Sequence, residues 1–227
     1  ATETQFVGAN PTTSARIIYH LKRKHNLGKM TLEIRDKEGN VLSELTPGKS
    51  KGINVVEWNY TIKPPKIASG KTFSFGGFTA SRVPAGTYQV VIQKGKDTYT
   101  NDLVIEYDRN SAISLADRKA NEETTAKLYK MNQELAYLVF EMDELSKMAE
   151  EAKGKSKEGA RAATPFISET AKLKETLVVM KGDNYVGAAE PQLREKLSLL
   201  YSKVASSFYV PSKAELDNID RKSTRLN

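Results

Sequence analysis

The chain has 227 residues, a hydrophobic content of 39% and a net charge of +7, which suits one large domain or two small ones. It contains no cysteine, and this excludes disulfides, thiolate metal sites and cysteine nucleophiles. No apolar run approaches the roughly 20 residues of a membrane-spanning helix, so no membrane span is expected. The opening residues ATETQFVGANP lack the basic start and apolar stretch of a signal peptide. If the protein is exported, we expect its signal to lie upstream or to have been removed.

The first half of the chain alternates between apolar and polar residues, which is the pattern of half-buried strands. This alternation predicts strands over residues 16–22, 30–35, 41–45, 52–60, 87–93 and 98–107. Turn residues such as Gly39, Gly48 and Gly95 separate neighbouring strands. About seven short strands at hairpin spacing are typical of a β-sandwich. We therefore predict an all-β immunoglobulin- or fibronectin-type-III-like sandwich over residues 1–108.

The alternation is interrupted over residues 61–82, a long connection that contains two prolines and three glycines. A connection of this length is usually either functional or mobile. Phe73, Phe75 and Phe78 lie in it at a spacing that fits neither a strand nor a helix, and Arg82 ends it. We take these four residues as a candidate contact surface. The alternative is that the rings fold back over the sandwich.

Other aromatic residues of the first half are predicted to be core residues. Tyr19, Trp58, Tyr60 and Tyr88 each lie on the apolar side of their strand. A sugar-stacking platform would need these rings to face solvent, whereas their positions favour packing between the sheets.

After Tyr107 the apolar period changes from two residues to about 3.5, which indicates helices. The first apolar seam consists of Leu128, Met131, Leu135, Leu138, Met142, Leu145, Ala149 and Ala152. It predicts a long helix that begins after Ser114 and ends near Ala152. The later seams consist of Phe166, Thr170, Leu173, Leu177 and Met180, and then of Leu193, Leu197, Leu200 and Val204.

The Pro211–Ser212 pair opens a fourth helical segment, whose apolar positions are Leu216 and Ile219. Short breaks between helices that carry apolar seams indicate antiparallel neighbours. The second and third helices are each about half as long as the first, so both can pack along its length. We therefore predict an all-α, antiparallel bundle of three to four helices over residues 109–227.

The chain shows no pattern of catalytic or ligand-binding residues. Its only histidines, His20 and His25, have no acidic partner at helical spacing, and a zinc site needs three or four ligands. The sequence has no nucleophile elbow and no P-loop. The acidic residues of the long helix fall mostly off its seam and are expected to be solvated. We predict no catalytic, cofactor-binding or metal-binding residues, no cofactor and no enzyme activity.

The positive charge is concentrated in the first half, with 16 Lys and Arg against 10 Asp and Glu through Asn110. A basic face attracts nucleic acid, but no recognition motif accompanies these residues. We interpret them as solvated lysines and arginines and predict no nucleic-acid partner.

Two sets of residues carry a resemblance to known families. GINVVEWN at 52–59, followed by VPAGTY at 83–88, resembles the immunoglobulin-like domain of the flagellar hook-capping protein. A broader series comprises GANP at 8–11, IIYHL at 17–21, TLEI at 31–34, GNV at 39–41, GDN at 182–184, KL at 196–197 and PS at 211–212. This series is similar to the C-terminal region of bacterial sortilin-like proteins with Asp-box (BNR) β-propellers, often labelled glycosyl hydrolases. It covers nearly the whole chain, and the order of the segments is its most specific feature.

The resemblance implies an exported protein, periplasmic, on the cell surface or extracellular, whose N-terminal β-propeller lies outside this sequence. Glycosidase carboxylates of such a parent would lie in the propeller, because no position here matches a catalytic motif. The predicted function is a non-catalytic accessory and interaction module that packs against the propeller, a protein partner, or both. The alternative is a carbohydrate-binding module that uses the aromatic loop at residues 61–82.

Overall fold

The computed structural model describes residues 13–181 and 189–223. Its elements are β1 (Ala15–Leu21), β2 (Met30–Arg35), β3 (Val41–Leu45), β4 (Gly52–Trp58), β5 (Gly86–Lys94), β6 (Asp97–Ile105), α1 (Leu115–Lys153), α2 (Lys157–Leu177), α3 (Leu193–Ala205) and α4 (Lys213–Ser223). The segments at 8–11 and 182–184, which contribute to the resemblance, lie outside the described residues.

The strands form two antiparallel sheets. β1 pairs with β4, and the second sheet has the order β3-β2-β5-β6. The turn between β5 and β6 contains Gly95 at φ +61°, a left-handed conformation that glycine adopts without steric cost. The described residues contain six strands, where the sequence predicted about seven. An all-antiparallel β region before the helices is confirmed.

Both sheets contribute to one apolar core. Leu32 and Ile34 of β2 are fully buried, and Ile17 of β1 packs in the same cluster. Trp58 packs edge-on against Tyr88, and its indole N–H donates to the Thr61 carbonyl at 2.9 Å. The prediction that the strand aromatics are core residues is therefore confirmed for these rings.

The four helices begin close to the predicted positions, but α2 ends at Leu177, so Met180 of its predicted seam lies outside the helix. The Ser114 hydroxyl accepts the Asp117 N–H at 3.1 Å and caps α1, whose 39 residues make it the longest described helix. α2 packs along the C-terminal half of α1, where Lys174 and Asp143 form an ion pair. α3 packs along the N-terminal half, where the Asn121 amide donates to the Val204 carbonyl at 3.3 Å. Each of the two shorter helices, α2 and α3, therefore packs along about half of α1.

The seam between α1 and α2 differs from the predicted one. Leu145, Phe166 and Leu173 were predicted to face the neighbouring helix, and all three are exposed. α2 instead turns a row of less exposed residues towards α1, comprising Ala163, Ile167, Thr170, Lys174 and Leu177. The two backbones also approach closely where α2 begins, since a Cβ at Gly159 would lie 2.4 Å from the Ala152 carbonyl oxygen. Gly159 therefore permits α2 to begin in close contact with the end of α1.

The chain divides into two compact units, and it passes between them three times. The β unit comprises residues 13–63 and 82–107, and the helical unit comprises residues 64–81, 108–181 and 189–223. The sequence placed a single boundary at residue 108. The difference is the segment 64–81, which packs with the helices and contributes Ala68 to their apolar core.

The start of α4 is fixed to α3 through Glu215. Its Oε1 binds Lys203 of α3 at 2.6 Å, and its Oε2 accepts the N–H and the hydroxyl of Ser212, both at 2.8 Å. The hydrogen bond from Lys203, with those from Ser212, lowers the pKa of Glu215 from 4.5 to about 2. The carboxylate is therefore charged in the folded chain well into the acid range.

This pKa predicts an acid-dependent loss of stability. The pKa of Glu215 is lower in the folded chain than in the unfolded chain, so its stabilisation is complete above about pH 5 and declines as the pH falls towards 2. We expect Glu215→Gln to unfold at lower urea concentration than the wild type at pH 7, and this difference to fall by more than half by pH 3. Urea titrations followed by circular dichroism at several pH values measure it. A difference that is equal at pH 7 and pH 3 contradicts the prediction.

Candidate functional site

A buried ion pair attaches the segment 64–81 to the first turn of α3. Arg194, only 6% exposed, donates from Nε to the Ala68 carbonyl at 2.6 Å and from Nη1 to the Thr72 carbonyl at 3.0 Å. Nη1 also lies 2.7 Å from Glu195 Oε1, and the Thr72 hydroxyl donates to the same oxygen at 2.8 Å. One guanidinium thus fixes the segment at two carbonyl groups while a carboxylate neutralises its charge.

Glu195 also caps the helix that carries it. Its Oε2 accepts the Gln192 N–H at 3.1 Å, which completes a capping box at the start of α3. Burial by itself raises the pKa of Glu195, but hydrogen bonds from Arg194 and Thr72 outweigh burial and hold the pKa below its usual value. The carboxylate is therefore ionised at neutral pH and remains paired with Arg194.

A second group of contacts lies one turn further along α3. Ser198 Oγ accepts the Gly76 N–H at 2.8 Å and forms a hydrogen bond with the Ser74 hydroxyl. One turn later, the Ser202 and Thr79 hydroxyls lie 2.5 Å apart. Gly76 is required for this approach, because a Cβ there would lie 2.6 Å from Ser198 Oγ and 3.1 Å from its carbonyl oxygen. The segment is therefore fixed to α3 at both of its ends.

The three phenylalanines form an exposed cluster on this attached segment. The Phe73 ring packs edge-to-face with Phe75 at a centroid distance of 5.0 Å and is stacked on Phe78 at 5.2 Å. Phe75–Phe78 forms a short 3₁₀ turn. The exposed fractions of Phe73, Phe75 and Phe78 are 47%, 50% and 75%. We call these three residues the aromatic platform.

Arg82, the fourth residue of the predicted contact surface, belongs to the β unit. It is exposed and lies opposite Thr61 in an isolated antiparallel bridge. The sequence therefore grouped three residues of one unit with one residue of the other.

Three hydroxyl groups of the segment are bonded to α3. The hydroxyls of Thr72, Ser74 and Thr79 all form hydrogen bonds with α3 side chains. The three exposed rings of the platform therefore lie on a segment whose neighbouring hydroxyls bind α3. Among residues 13–181 and 189–223, no group of three or more His, Cys, Asp or Glu is placed to bind a metal ion. In the same described part of the chain, no helix is both long and apolar enough to span a bilayer.

Sequence reasoning missed the α3 residues that position the platform. Arg194, Ser198 and Tyr201 follow the four-and-three spacing of a helix face, beside the leucine seam. Tyr201 is fully buried and donates its hydroxyl to the Thr79 carbonyl at 3.0 Å. This polar row could have indicated a contact with another segment, because polar residues that adjoin a buried seam need hydrogen-bond partners.

The chain matches no protein-family model, no curated protein and no solved structure.

Proposed function

We propose that this chain is a non-catalytic interaction module that binds a protein partner through the aromatic platform. The observation that carries the proposal is the exposure of three packed rings on a segment attached by the Arg194–Glu195 pair and the α3 serines. Such a rigid apolar surface loses little conformational entropy on binding. Aromatic side chains are also enriched where protein interfaces gain most of their affinity.

The proposal includes a finer description of the architecture and context. The β unit is an immunoglobulin- or fibronectin-type-III-like sandwich, and the helical unit is an antiparallel bundle that carries the platform. The two antiparallel sheets with one shared core support this description. The partner is the N-terminal β-propeller of an exported, sortilin-like Asp-box protein, and the ordered sequence resemblance supports that context. If the parent is a glycosyl hydrolase, its catalytic carboxylates lie in the propeller.

A protein partner fits the platform better than a glycan does. Phenylalanine offers no hydrogen-bond donor or acceptor, and the hydroxyls of Thr72, Ser74 and Thr79 are already bonded to α3. One face of Phe73 is also covered by Phe78 in the stacked pair. A sugar needs a free ring face together with polar groups, whereas an apolar protein side chain needs only the ring surface.

The test is a calorimetric titration of this chain with the propeller region produced as a separate protein. We expect saturable binding, weakened about 10-fold or more by the double substitution Phe75→Ser/Phe78→Ser, the size of effect that interface aromatics show. Both rings are exposed, so the variant should keep the thermal unfolding midpoint of the wild type. Tyr99→Ser is the matched control, because Tyr99 is an aromatic residue of β6 that is 58% exposed outside the platform.

Three results would overturn the proposal in different ways. If the propeller region fails to bind, or binds the platform variant as tightly as the wild type, the assigned partner or surface is wrong. If the chain binds a glycan and Phe75→Ser/Phe78→Ser weakens that binding, the carbohydrate-binding alternative is correct. If the isolated chain still hydrolyses glycosides after repeated purification, the module is an enzyme and the proposal of a non-catalytic module is wrong.

A further inference from the structure

One end of the β unit is formed by three connections between strands. They are residues 22–29 between β1 and β2, residues 46–51 between β3 and β4, and residues 95–96 between β5 and β6. Two backbone hydrogen bonds join these connections. The His25 N–H donates to the Lys49 carbonyl at 2.9 Å, and the Gly95 N–H donates to the Lys29 carbonyl at 3.3 Å. The three connections therefore lie together at the same end of the two sheets.

The positive charge of the chain is concentrated at this end. We define the basic end as residues 22–29, 46–51 and 94–97, which contain eight basic residues and one acidic residue. Their net charge of +7 equals the net charge of the whole chain. Four of the basic residues lie in the first connection, two in the second and two at the β5–β6 turn, and all except Lys94 are exposed. The fold thus collects basic residues that are far apart in the sequence.

This charge is not neutralised by the described part of the protein. Within residues 13–181 and 189–223, no ion pair joins a basic residue of the basic end to a carboxylate. Glu44 of β3 is within electrostatic reach of Lys29, but its carboxylate already binds Lys63 at 2.6 Å. Like charges held together in this way repel each other, and an anionic partner relieves the repulsion.

The basic end also carries an exposed apolar side chain. Leu27 is 87% exposed, the largest fraction among the large apolar residues that the structure describes. It lies in a turn where His25 Nε2 forms a hydrogen bond with the Gly28 carbonyl at 3.1 Å. Gly28 has a φ of +90°, which glycine adopts without steric cost. The turn therefore keeps Leu27 in solvent, next to basic residues on both sides along the chain.

We propose that the basic end binds the surface of an anionic lipid bilayer, with Leu27 inserted among the headgroups. Clusters of about four to eight basic residues attract anionic lipid headgroups. Peripheral binding becomes stable when burial of an apolar group adds to this attraction. The site goes beyond the proposed function, because the basic end belongs to the β unit and the aromatic platform belongs to the helical unit.

A lipid surface fits the basic end better than a nucleic acid does. The basic end contains no Phe, Tyr or Trp, which are the residues on which unpaired bases stack. Leu27 gains nothing from a phosphate backbone, whereas the boundary between headgroups and acyl chains removes its side chain from water. The combination of charge and an exposed leucine therefore favours lipid.

The first experiment measures cosedimentation of the full chain with phosphatidylcholine vesicles that contain up to about 40% phosphatidylglycerol. We expect binding to rise with the anionic fraction and to fall as salt increases from about 50 to about 500 mM. Lys22→Gln/Arg23→Gln/Lys24→Gln should weaken binding about 100-fold, because each basic residue near an anionic surface contributes about fivefold. All three residues are exposed, so the variant should keep the circular dichroism spectrum of the wild type.

The matched control removes the same charge elsewhere. Lys155→Gln/Lys157→Gln/Arg161→Gln replaces two lysines and one arginine, all exposed residues of the helical unit. This variant should bind vesicles as the wild type does, because its basic end is intact. If both triple variants lose binding equally, net charge alone attracts the chain and the assigned site is wrong.

Leu27 is tested by a substitution that leaves the charge unchanged. Leu27→Ser should weaken vesicle binding about 10-fold, which corresponds to partial burial of one leucine side chain. Val104→Ser is its control, since Val104 is 64% exposed near the other end of β6, and it should leave binding unchanged.

The second experiment detects insertion with a polarity-sensitive fluorophore on an introduced cysteine, which is unique because the chain has none. The label on Leu27→Cys should become brighter when anionic vesicles are added. The same label on Lys37→Cys should not change, because Lys37 is exposed in the β2–β3 turn at the opposite end of the unit.

Three results would overturn the proposal. One is a wild type that does not bind the most anionic vesicles at about 50 mM salt, where electrostatic attraction is strong. Another is a short DNA duplex that displaces the chain from the vesicles at equal phosphate concentration, which would identify a nucleic-acid site. The third is a label at position 27 that stays in water on bound vesicles, since Leu27 would then not be inserted.

Discussion

Replacing Arg194 with alanine is expected to lower the free energy of unfolding of the helical unit by about 3–5 kcal/mol, the usual cost of breaking a buried ion pair from one side. Two consequences of the substitution add to each other. Glu195 remains as a buried carboxylate without its cation, and the carbonyls of Ala68 and Thr72 lose their donor. Arg194→Lys should recover only part of the loss, because a lysine cannot reproduce the divergent Nε and Nη1 hydrogen bonds.

Two probes separate the effect of Arg194→Ala on each unit. Far-ultraviolet circular dichroism follows the helices during urea unfolding, and fluorescence of the single tryptophan, Trp58, follows the β core. We expect the helical transition to move to lower urea concentration while the Trp58 transition stays in place. Arg161→Ala is the control, since Arg161 is an exposed arginine of α2. Equal effects of the two substitutions would show that the buried pair does not stabilise the unit.

Replacing residues 66–79 with a flexible glycine–serine linker of equal length is expected to abolish cooperative unfolding of the helical unit. The substitution removes Ala68 from the core and the hydroxyls that bind Glu195, Ser198 and Ser202. A flexible linker also no longer holds in place the backbone N–H that binds the Val179 carbonyl and the two carbonyls that bind Arg194. Each buried polar group left without a partner costs about 1–3 kcal/mol. Several such losses together approach the 5–15 kcal/mol that typically stabilises a whole domain.

The same two probes report the outcome of this replacement. We expect a broad, non-cooperative loss of helical signal together with an unchanged Trp58 transition, because the β core contains no residue of the replaced segment. Phe75→Ser/Phe78→Ser is the matched control within the segment and should unfold as the wild type does, since both rings are exposed. A helical unit that still unfolds cooperatively without residues 66–79 would show that the segment is not needed for the stability of the helices.

Periodicity alone predicted where most elements begin and end. An apolar period of two gave antiparallel strands before residue 108, and a period near 3.5 gave the helices after it. The long helix was predicted from Ser114 to about Ala152, and α1 runs over Leu115–Lys153. These features are local, since each depends on residues that are neighbours along one strand or one helix. The same reasoning placed Tyr88 and Trp58 in the β core.

The phase of the helix seams was not determined by this local pattern. α2 carries two overlapping apolar rows, one through Phe166 and Leu173 and one through Ala163 and Leu177. Spacing alone does not rank them, because both follow a helical period. The choice depends on the partner helix, through close approach at Gly159 and the Lys174–Asp143 pair. Packing therefore left the row through Phe166 and Leu173 exposed.

The sequence by itself determined the order of a β region and a region of three to four helices, and it singled out Phe73, Phe75 and Phe78 as unusual loop residues. Only the tertiary structure decided that their segment belongs to the helical unit. Its attachment joins residues more than 120 positions apart, such as Gly76 and Ser198. Hydrogen bonds between groups so distant in the chain leave no period in the sequence. A buried Arg194 also looks like any solvated arginine until the carbonyls that it binds are in place.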